Sequence, residues 1–459
     1  MKYNLFRSTS SCESIQGIYL IYWRDKMAEL YNTPNLDELE NGPWPSFVTG
    51  LKRLASDSHA GAEMARDVLG TLETSYVTKK GYWKGGTVGV IGYGGGIIPR
   101  FNELKDDKGE YKFPAAGEFH TLRVQPPAGM HYTSTLLRDM CDMFVDNGGS
   151  GLIALHGQSG DIMLQGSTEE TTQTIFNTFN DYGFDLGGAG PAVRTGMSCV
   201  GASRCEMSNV NEQAVLRTLV NAFLDDMHRP ALPYKMKFKV SGCSNDCMNT
   251  VQRADFAVIG TWRDDIKVNQ YLWQSMVADK GRSYVVDNII SRCPTSAMTL
   301  NEDDSVTIDN KNCVKCMHCL NVTSPLTHKY IAKGDIEPIL ATGDDKGVMI
   351  IMGGKRTLKI GDLFGSVVVP FMKMETADNL EEIENLAGEV IDFFAENALE
   401  HERTGEMIER IGVVNFLEGI GLNVDPNMVN STRTSSYVRM DTWDEEAIKW
   451  FENKAEASA

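Results

Sequence analysis

Eight of the ten cysteines lie between positions 199 and 319, and their spacing divides them into two sets of four. The first cysteine set has a C-x5-C pair followed by a C-x3-C pair and comprises Cys199, Cys205, Cys243 and Cys247. The second cysteine set joins a C-x2-C-x2-C run to an earlier Cys-Pro and comprises Cys293, Cys313, Cys316 and Cys319. In a large chain without a secretion signal, clustered cysteines indicate metal binding or catalysis rather than disulfides.

The spacing of the second set is typical of an iron–sulfur cube. A tight loop can wrap three corners of the cube, and the distant Cys-Pro supplies the fourth thiolate. We therefore predict that this set holds a [4Fe–4S] cluster. The alternative is a structural zinc site with four thiolate ligands, but such sites usually use paired C-x2-C knuckles. His318, inside the run, is interpreted as a packing residue, and the isolated Cys12 and Cys141 as buried or idle thiols.

The spacing of the first set is uncommon in ferredoxins and zinc modules, and 37 residues separate its two pairs. Four thiolates from two loops again suffice for a cube. The segment from Arg194 to Lys239 contains seven Lys or Arg and four Asp or Glu residues, in a chain of net charge −18. This local positive excess suits a polyanionic cofactor or an anionic substrate. The alternative is that Lys235, Lys237 and Lys239 only cover the solvated face of a strand.

Length and charge exclude several function classes. A chain of 459 residues is long enough for roughly two to four domains. Its negative charge argues against a general nucleic-acid binder, which needs a basic face. No apolar run is long enough to span a membrane, and the short run from Ile18 to Trp23 ends in charged residues without a cleavage site. We therefore expect no signal peptide and a cytoplasmic protein.

Hydrophobic periodicity predicts strands mixed with helices, and hence an α+β architecture. Strands are predicted within 86–100, 118–129, 151–164, 234–240, 347–356 and 365–374, and helices within 27–80, 134–148 and 170–183. The 234–240 segment alternates polar and apolar residues like a half-buried strand. A further helix near the C-terminus is predicted with Asp378 as its N-cap. Its apolar face comprises Leu380, Ile383, Leu386, Val390, Ile391 and Phe394.

These cysteine patterns resemble a known family. The C-x5-C and C-x3-C pairs are similar to the signature of sulfite and nitrite reductases, in which the last cysteine bridges a [4Fe–4S] cluster to the iron of a siroheme. From Met27 onward, nearly the whole chain resembles the alpha subunits of dissimilatory sulfite reductases. The stretches that support the resemblance are "GPWPSFV", "YGGGIIPRF", "FHTLRVQPPAG", "GSGLIALHGQSGDI", "DLGGAGPAVRT", "CVGASRCE", "HRPALPYKMKFK", "SGCSNDC", "GTWRDD" and "CVKCMHCLNV".

The resemblance implies an α+β fold of siroheme sulfite reductase-type ferredoxin-like lobes, with an inserted [4Fe–4S] ferredoxin domain and a helical C-terminus. It divides the chain into an N-terminal extension (1–26), a helical segment (27–80), a first ferredoxin-like lobe (81–193), a lobe that binds siroheme and a cluster (194–285), the inserted domain (286–345), and returning strands with a helical C-terminal segment (346–459). Residues 1–26 are expected to be dispensable. The connection after Cys319 looks longer than is usual in the family.

The activity implied by the resemblance is the six-electron interconversion of sulfite and sulfide, or of protein-bound reduced sulfur. The implied cofactors are siroheme and two [4Fe–4S] clusters, with Cys247 bridging the first cysteine set to the siroheme iron and the second set serving electron transfer. The implied partners are a homologous beta subunit in an α2β2 assembly, a small sulfur-carrier protein and electron-transfer proteins. By motif, the family's substrate cage falls on Arg123, Arg194, Lys235 and Lys237, where a ring of cations would stabilise charge as oxygen leaves sulfur.

Two other functions stay open at this stage. A siroheme nitrite reductase uses the same cofactor and cage, although the inserted ferredoxin domain and the alpha-type stretches favour sulfite. The other alternative is a structural or electron-transfer subunit whose own coupled site is inactive, because family members differ in which subunit's tetrapyrrole is catalytic. The stretches "RVQPPAG", "RTGMSCVGASRCEM" and "FLEGIGL" are more similar to the sulfur-oxidising branch, so sulfur oxidation is the expected direction.

Overall fold

The computed structural model describes residues 33–81, 86–157, 159–330, 337–357 and 361–424, and the expected extension 1–26 lies outside them. The chain divides into two compact units. The first unit contains the chain up to Pro126, Tyr132–Gly190 and Met227–Pro230, and the second contains Pro127–His131, Pro191–Asp226 and the chain from Ala231. Within the described ranges, every helix is too short or too polar to cross a membrane.

An antiparallel sheet with strand order β1-β2-β3-β5-β4 forms the centre of the first unit. Its strands are β1 (Val88–Val90), β2 (Ile97–Asn102), β3 (Glu118–Val124), β4 (Leu152–Leu155) and β5 (Ile162–Ser167). The helices of this unit are α1 (Pro34–Glu40), α2 (Phe47–Ser56), α3 (Ala62–Thr78), α4 (Ser134–Asp146) and α5 (Glu169–Tyr182). The hydroxyls of Thr133 and Thr168 cap α4 and α5, and Gly183, with φ 103°, ends α5.

Two hydrophobic clusters pack against this sheet. One joins α1–α3 to β1 and Phe119 of β3, and the other joins α4 and α5 to Leu122 and Val124 of β3 and to β5. Side chains alternate between the two faces of a strand, so Arg123 lies on the face opposite Leu122 and Val124. The sheet therefore fixes the position of this arginine through its buried neighbours.

A mixed sheet with strand order β16-β13-β8-β7-β6 forms the centre of the second unit. Strands β6 (Val193–Ser198), β7 (Met236–Ser241) and β8 (Phe256–Trp262) are parallel, and β13 (Lys346–Met352) and β16 (Ser366–Lys373) extend the sheet in antiparallel fashion. The short antiparallel pairs are β9 (Lys267–Val268) with β12 (Leu340–Ala341), β10 (Met298–Leu300) with β11 (Val306–Ile308), and β14 (Lys355–Thr357) with β15 (Gly361–Leu363). Because β6 and β7 are parallel neighbours, the loops that follow them leave from the same edge of the sheet.

The helices from residue 191 onward are α6 (Glu212–Ala222), α7 (Leu224–His228), α8 (Thr250–Arg253), α9 (Gln270–Lys280), α10 (Arg282–Val285), α11 (His318–Tyr330), α12 (Ala377–Asn397), α13 (Thr404–Ile411) and α14 (Val413–Gly419). Helix α12 has the predicted apolar face, although Leu380 is only half-buried. The predicted N-cap Asp378 is wrong. The cap is Thr376, whose Oγ1 accepts the N–H of Asn379 at 3.4 Å, and Asp378 lies in the first turn.

The expected burial of the 234–240 segment also needs correction. Its strand, β7, is not half-buried with one solvated face, because it lies inside the sheet between β6 and β8 and all of its residues except Lys237 are buried. The solvated-face interpretation is therefore wrong for Lys239, which is 3% exposed. Of the two alternatives for Cys141, buried or idle thiol, its exposure removes the first and leaves the second, and Cys12 lies outside the described residues.

Candidate functional site

The first cysteine set lies at the ends of β6 and β7. Cys199 directly follows β6, and Cys243 follows β7 after one residue. The N–H of Cys199 donates to the carbonyl of Val240 at 3.1 Å, which ties the first loop to the neighbouring strand. All four thiols of the set line one cavity of about 160 Å³. Residues 44 positions apart in the sequence thus meet because two parallel strands deliver their loops to one edge.

The donor chemistry of this cavity fits an iron–sulfur cluster. All four thiols are free, and the N–H of Gly242 donates to Sγ of Cys199 at 3.2 Å. Burial, followed by the charges of Cys205, Cys247 and Cys199, raises the pKa of Cys243 to about 11. Thiolates this close together repel one another unless cationic iron lies between them, so the set is suited to bind such a group.

The second cysteine set surrounds a separate cavity whose other walls include Ile266, Ile289 and Met298. Cys293 precedes the β10–β11 hairpin, and the C-x2-C-x2-C run leads into α11. Two residues of this run, Lys315 (φ 57°) and Met317 (φ 64°), adopt the left-handed conformation that tightens the loop. Burial, followed by the neighbouring thiols of the set, raises the pKa of Cys319 to about 12. This set has the same donor chemistry as the first, in an apolar environment.

Within the described residues, no three His, Cys, Asp or Glu side chains converge closely enough to hold a single metal ion. A cube does not require such convergence, because each thiolate binds iron at a different corner. His318 Nε2 lies 2.9 Å from the carbonyl oxygen of Asn288, which agrees with its interpretation as a packing residue.

A row of cations lies on β6 and β7 beside the first set. In the parallel register Arg194 of β6 pairs with Lys237 of β7. Lys237 and Lys239 lie two residues apart on β7 and therefore project to the same side of the strand. Lys235 directly precedes β7, and its charge and that of Arg194 both act on Lys237. The structure thus brings together three of the four cations proposed for the cage, namely Arg194, Lys235 and Lys237. Lys239 extends the row, and its Nζ donates to the carbonyl of Met248, next to Cys247, at 2.9 Å.

Burial makes the lysines of this row weak bases. Together with the positive charges of Arg403 and Lys235, and against the effect of Asp255, it lowers the pKa of Lys237 to about 7. Burial, followed by Arg253, lowers the pKa of Lys239 to about 8, and burial also lowers that of Lys235. An ammonium group that titrates near neutral pH can both attract an anion and give up a proton.

Sequence reasoning missed the ion pair that supports this row. Arg403, which directly precedes α13, forms a bidentate ion pair with Asp255, with Nε–Oδ1 and Nη2–Oδ2 distances of 2.8 and 2.5 Å. Both side chains are buried. Asp255 Oδ2 also accepts the N–H of Lys237 at 2.9 Å. The two partners are 148 residues apart, so no local pattern in the sequence could have linked them.

Arg123 lies in the first unit and has a different environment. Its Nε is 3.4 Å from Oδ2 of the fully buried Asp161, and Oδ1 of Asp161 is 3.2 Å from Nδ1 of His156. Burial opposes ionisation of Asp161, but the hydrogen bond from His156 and the charge of Arg123 outweigh it and hold the pKa of this carboxyl below its usual value. Burial and Asp161 together raise the pKa of Tyr132 to about 12.

Asp161 and His156 were not singled out from the sequence, although both lie in the quoted stretch "LHGQSGDI". Their signal was available, because a His and an Asp in a glycine-rich turn between two strands are candidates for a site. The sequence does not indicate that Asp161 pairs with Arg123. That contact depends on the adjacent β3 and β5, in which Arg123 is opposite Met163.

Comparison with known proteins agrees with this chemistry. Residues 189–426 match the family model of the nitrite and sulphite reductase 4Fe-4S domain, a range that includes both cysteine sets. The chain is 59% identical over 428 residues to the dissimilatory-type sulfite reductase subunit alpha of Allochromatium vinosum, covering 93% of this chain and 98% of that relative. The corresponding subunit of Nitratidesulfovibrio vulgaris is 37% identical, over 88% of this chain and 93% of the relative.

Structural similarity gives the same result. The crystal structure of dissimilatory sulfite reductase I (DsrI) superposes with a TM-score of 0.74 at 35% identity, covering 90% of this chain and 96% of that chain. The beta subunit of the Nitratidesulfovibrio vulgaris enzyme is also related, at 22% identity over 71% of this chain and 82% of its own length. These matches confirm the resemblance and the α+β fold class that the sequence predicted.

Proposed function

The chain belongs to the family of dissimilatory-type sulfite reductase alpha subunits, and from this premise we propose that its first cysteine set binds a [4Fe–4S] cluster coupled to siroheme. As a member of this family it is an oxidoreductase that acts on sulfur groups, uses iron–sulfur and siroheme cofactors and assembles with a beta subunit. The finer proposal is that Cys199, Cys205, Cys243 and Cys247 bind the coupled cluster, with Cys247 as the bridge to the siroheme iron.

The observation that best supports this site is the row of cations on β6 and β7, the two strands whose following loops carry the four free thiols. When bound, siroheme and its cluster would supply a redox-active iron and carry electrons between the sulfur and a redox partner. The protein supplies the remaining requirements. Arg194, Lys235 and Lys237 attract the anion and compensate charge on its oxygens, and Lys237 Nζ, with a pKa of about 7, holds a proton that it can release near neutral pH.

Arg123 is the fourth proposed member of the cage, on the basis of its motif. Its ion pair with Asp161 supports a positioning role for that carboxylate, because an arginine held by a buried partner loses less conformational entropy on binding an anion. His156 Nδ1 contacts the same carboxylate, which restricts it further.

We propose electron transfer for a second [4Fe–4S] cluster bound by the second cysteine set. Its apolar lining suits a cluster that changes only its charge, because no substrate has to reach it. Cys316 is exposed, and the neighbouring Val314 is 55% exposed. An accessible edge of this kind would allow a redox partner to approach.

The proposal also includes the assembly and its setting. The resemblance supports several finer expectations that we include here: an α2β2 arrangement, a small sulfur-carrier protein, redox partners, a cytoplasmic location and the six-part division of the chain. For direction we propose sulfur oxidation, with sulfite as the product. Comparing turnover in both directions with the same purified complex would test this choice.

The cluster assignment can be tested in the complex of this chain with its beta subunit. Cys316→Ser should remove about four irons per alpha chain and leave the siroheme absorption intact, because the two cysteine sets line separate cavities. Cys243→Ser should remove the coupled cluster together with the alpha-chain siroheme. Cys141→Ser is the matched control, since this exposed cysteine belongs to neither set, and it should change neither quantity. Loss of siroheme in a folded Cys316→Ser complex would contradict the assignment.

A further inference from the structure

A buried carboxylate touches both loops of the first cysteine set. Glu212, the first residue of α6, has no exposed surface. Its Oε2 accepts a hydrogen bond from Ser208 Oγ at 2.9 Å and one from the N–H of Ala202 at 3.4 Å. Its Oε1 has no hydrogen-bond partner among the described residues. Such a group is costly to bury, so its position calls for an explanation beyond packing.

The close contacts of Glu212 with the backbone explain why positions 201 and 242 are glycines. A Cβ added at Gly201, between Cys199 and Cys205, would lie 1.6 Å from the carboxyl carbon of Glu212. A Cβ added at Gly242, next to Cys243, would lie 3.1 Å from Glu212 Oε2 and 2.3 Å from Ser208 Oγ. One carboxylate is therefore in close contact with the C-x5-C loop and with the residue that begins the C-x3-C loop.

The charge of this group also reaches the thiols. The pKa of Cys199 is raised by burial and, against hydrogen bonds from the backbone, by the negative charge of Glu212. Any iron–sulfur cluster held by these thiols would experience the same field. Reduction adds a negative charge to a cluster, so a fixed anion beside it makes reduction less favourable.

We propose that Glu212 is a positioning residue for the coupled cluster, which holds the two cysteine loops together and lowers the reduction potential of the cluster between them. The inference rests on the proposed function, because it assumes that the first cysteine set binds the cluster. Glu212 belongs neither to the cysteine sets nor to the cation row, and its proposed effect is on the reduction potential of the coupled cluster.

The test uses Glu212→Gln in the complex with the beta subunit. Glutamine has the same shape and can still accept both hydrogen bonds, but it has no charge. The midpoint potential of the coupled cluster, followed by electron paramagnetic resonance during a redox titration, should shift to a more positive value. The potential of the second cluster should not change. Glu206→Gln is the matched control, because Glu206 adjoins Cys205 but is exposed, so solvent screens its charge and the shift should be much smaller.

Glu212→Asp separates anchoring from charge. It keeps the charge but shortens the side chain, so cluster content should fall while the potential of the remaining coupled clusters stays near the wild-type value. If Glu212→Gln does not assemble, Glu212→Asp still decides the anchoring role, since full cluster content in that variant would overturn it. An unchanged potential in fully loaded Glu212→Gln, or a shift no larger than that of Glu206→Gln, would overturn the electrostatic role. Absence of a coupled cluster from the wild-type chain would instead overturn the proposed function.

Discussion

The two cysteine sets offer the same four thiols in very different surroundings. The first lies at the ends of parallel strands, next to the buried charged side chains of Lys239 and Glu212. The second has mostly apolar walls, apart from Thr295, Lys315 and His318, and includes the exposed Cys316. Reducing or oxidising a sulfur anion requires charge compensation and protons, whereas passing electrons requires neither. Under the proposed function, protein charge near the set, rather than the thiol ligands, would therefore distinguish the coupled cluster from the electron-transfer cluster.

The largest expected effect comes from the ion pair under the cation row. Asp255→Asn leaves the buried guanidinium of Arg403 without its carboxylate, and breaking a buried pair on one side costs about 3–5 kcal/mol of stability. We expect the complex to unfold at a markedly lower temperature, with the change measured against wild type under matched conditions. The control is Asp304→Asn in the β10–β11 hairpin, beside the second set. There the pair with Arg282 is exposed, and the loss should stay below about 1 kcal/mol.

Equal thermal unfolding of Asp255→Asn and Asp304→Asn would contradict this contrast. It would mean that the cation row does not depend on the buried pair, and that Asp255 contributes only a hydrogen bond to the backbone of Lys237.

A second comparison concerns turnover. Lys237→Met keeps the length of the side chain and removes its charge, so we expect sulfite turnover per siroheme, with a reduced viologen dye, to fall by about two orders of magnitude. Lys267→Met, at a lysine that is 54% exposed, should change turnover by less than about twofold. The electron paramagnetic resonance signal of the second cluster should be the same in both variants. Near-equal turnover of Lys237→Met and wild type would show that Lys237 is not a catalytic residue.

What the sequence could predict follows from the range of the interactions. The spacing within each cysteine pair or run is local, and so are the helical periodicity of α4 and α5 and the apolar face of α12. The structure has these helices and this face, although the cap of α12 is Thr376 rather than Asp378. Glu212, Asp255 and Arg403 could not be recognised, because each derives its role from residues on other elements. The buried state of Lys239 also escaped, because alternation along one strand does not reveal how both faces are covered.

A third and smaller effect is expected in the first unit. Asp161→Asn removes the charge that holds Arg123 and leaves a buried cation with a neutral neighbour. Loss of one such contact costs about 1–3 kcal/mol, so we expect roughly a tenfold loss of kcat/KM for sulfite, mainly through KM. Asp146→Asn, at an exposed carboxylate of α4, is the control and should have no effect. An unchanged KM in Asp161→Asn would show that Arg123 does not take part in anion binding.

The last comparison uses pH, and it concerns Lys237 of the cation row next to the first cysteine set. Burial, then Arg403 and Lys235, lowers the pKa of Lys237 from 10.5 to about 7, so its positive charge is present below that pH and is lost as the pH rises through it. The carboxylates of a bound siroheme would favour the ammonium form, which moves the midpoint to about 7 or above. Above the midpoint the protonated fraction of Lys237 falls tenfold per pH unit, so the affinity for sulfite should weaken by up to about tenfold per unit.

The control is Lys237→Arg, whose guanidinium stays charged, so the affinity of this variant for sulfite should change less with pH. Sulfite itself and Lys239, with a pKa of about 8, also titrate in this range, and the arginine variant retains both contributions, so the difference between the two slopes isolates Lys237. The measurement is a spectral titration with sulfite from about pH 6 to 9, and identical slopes in both proteins would show that the charge of Lys237 does not act on the anion.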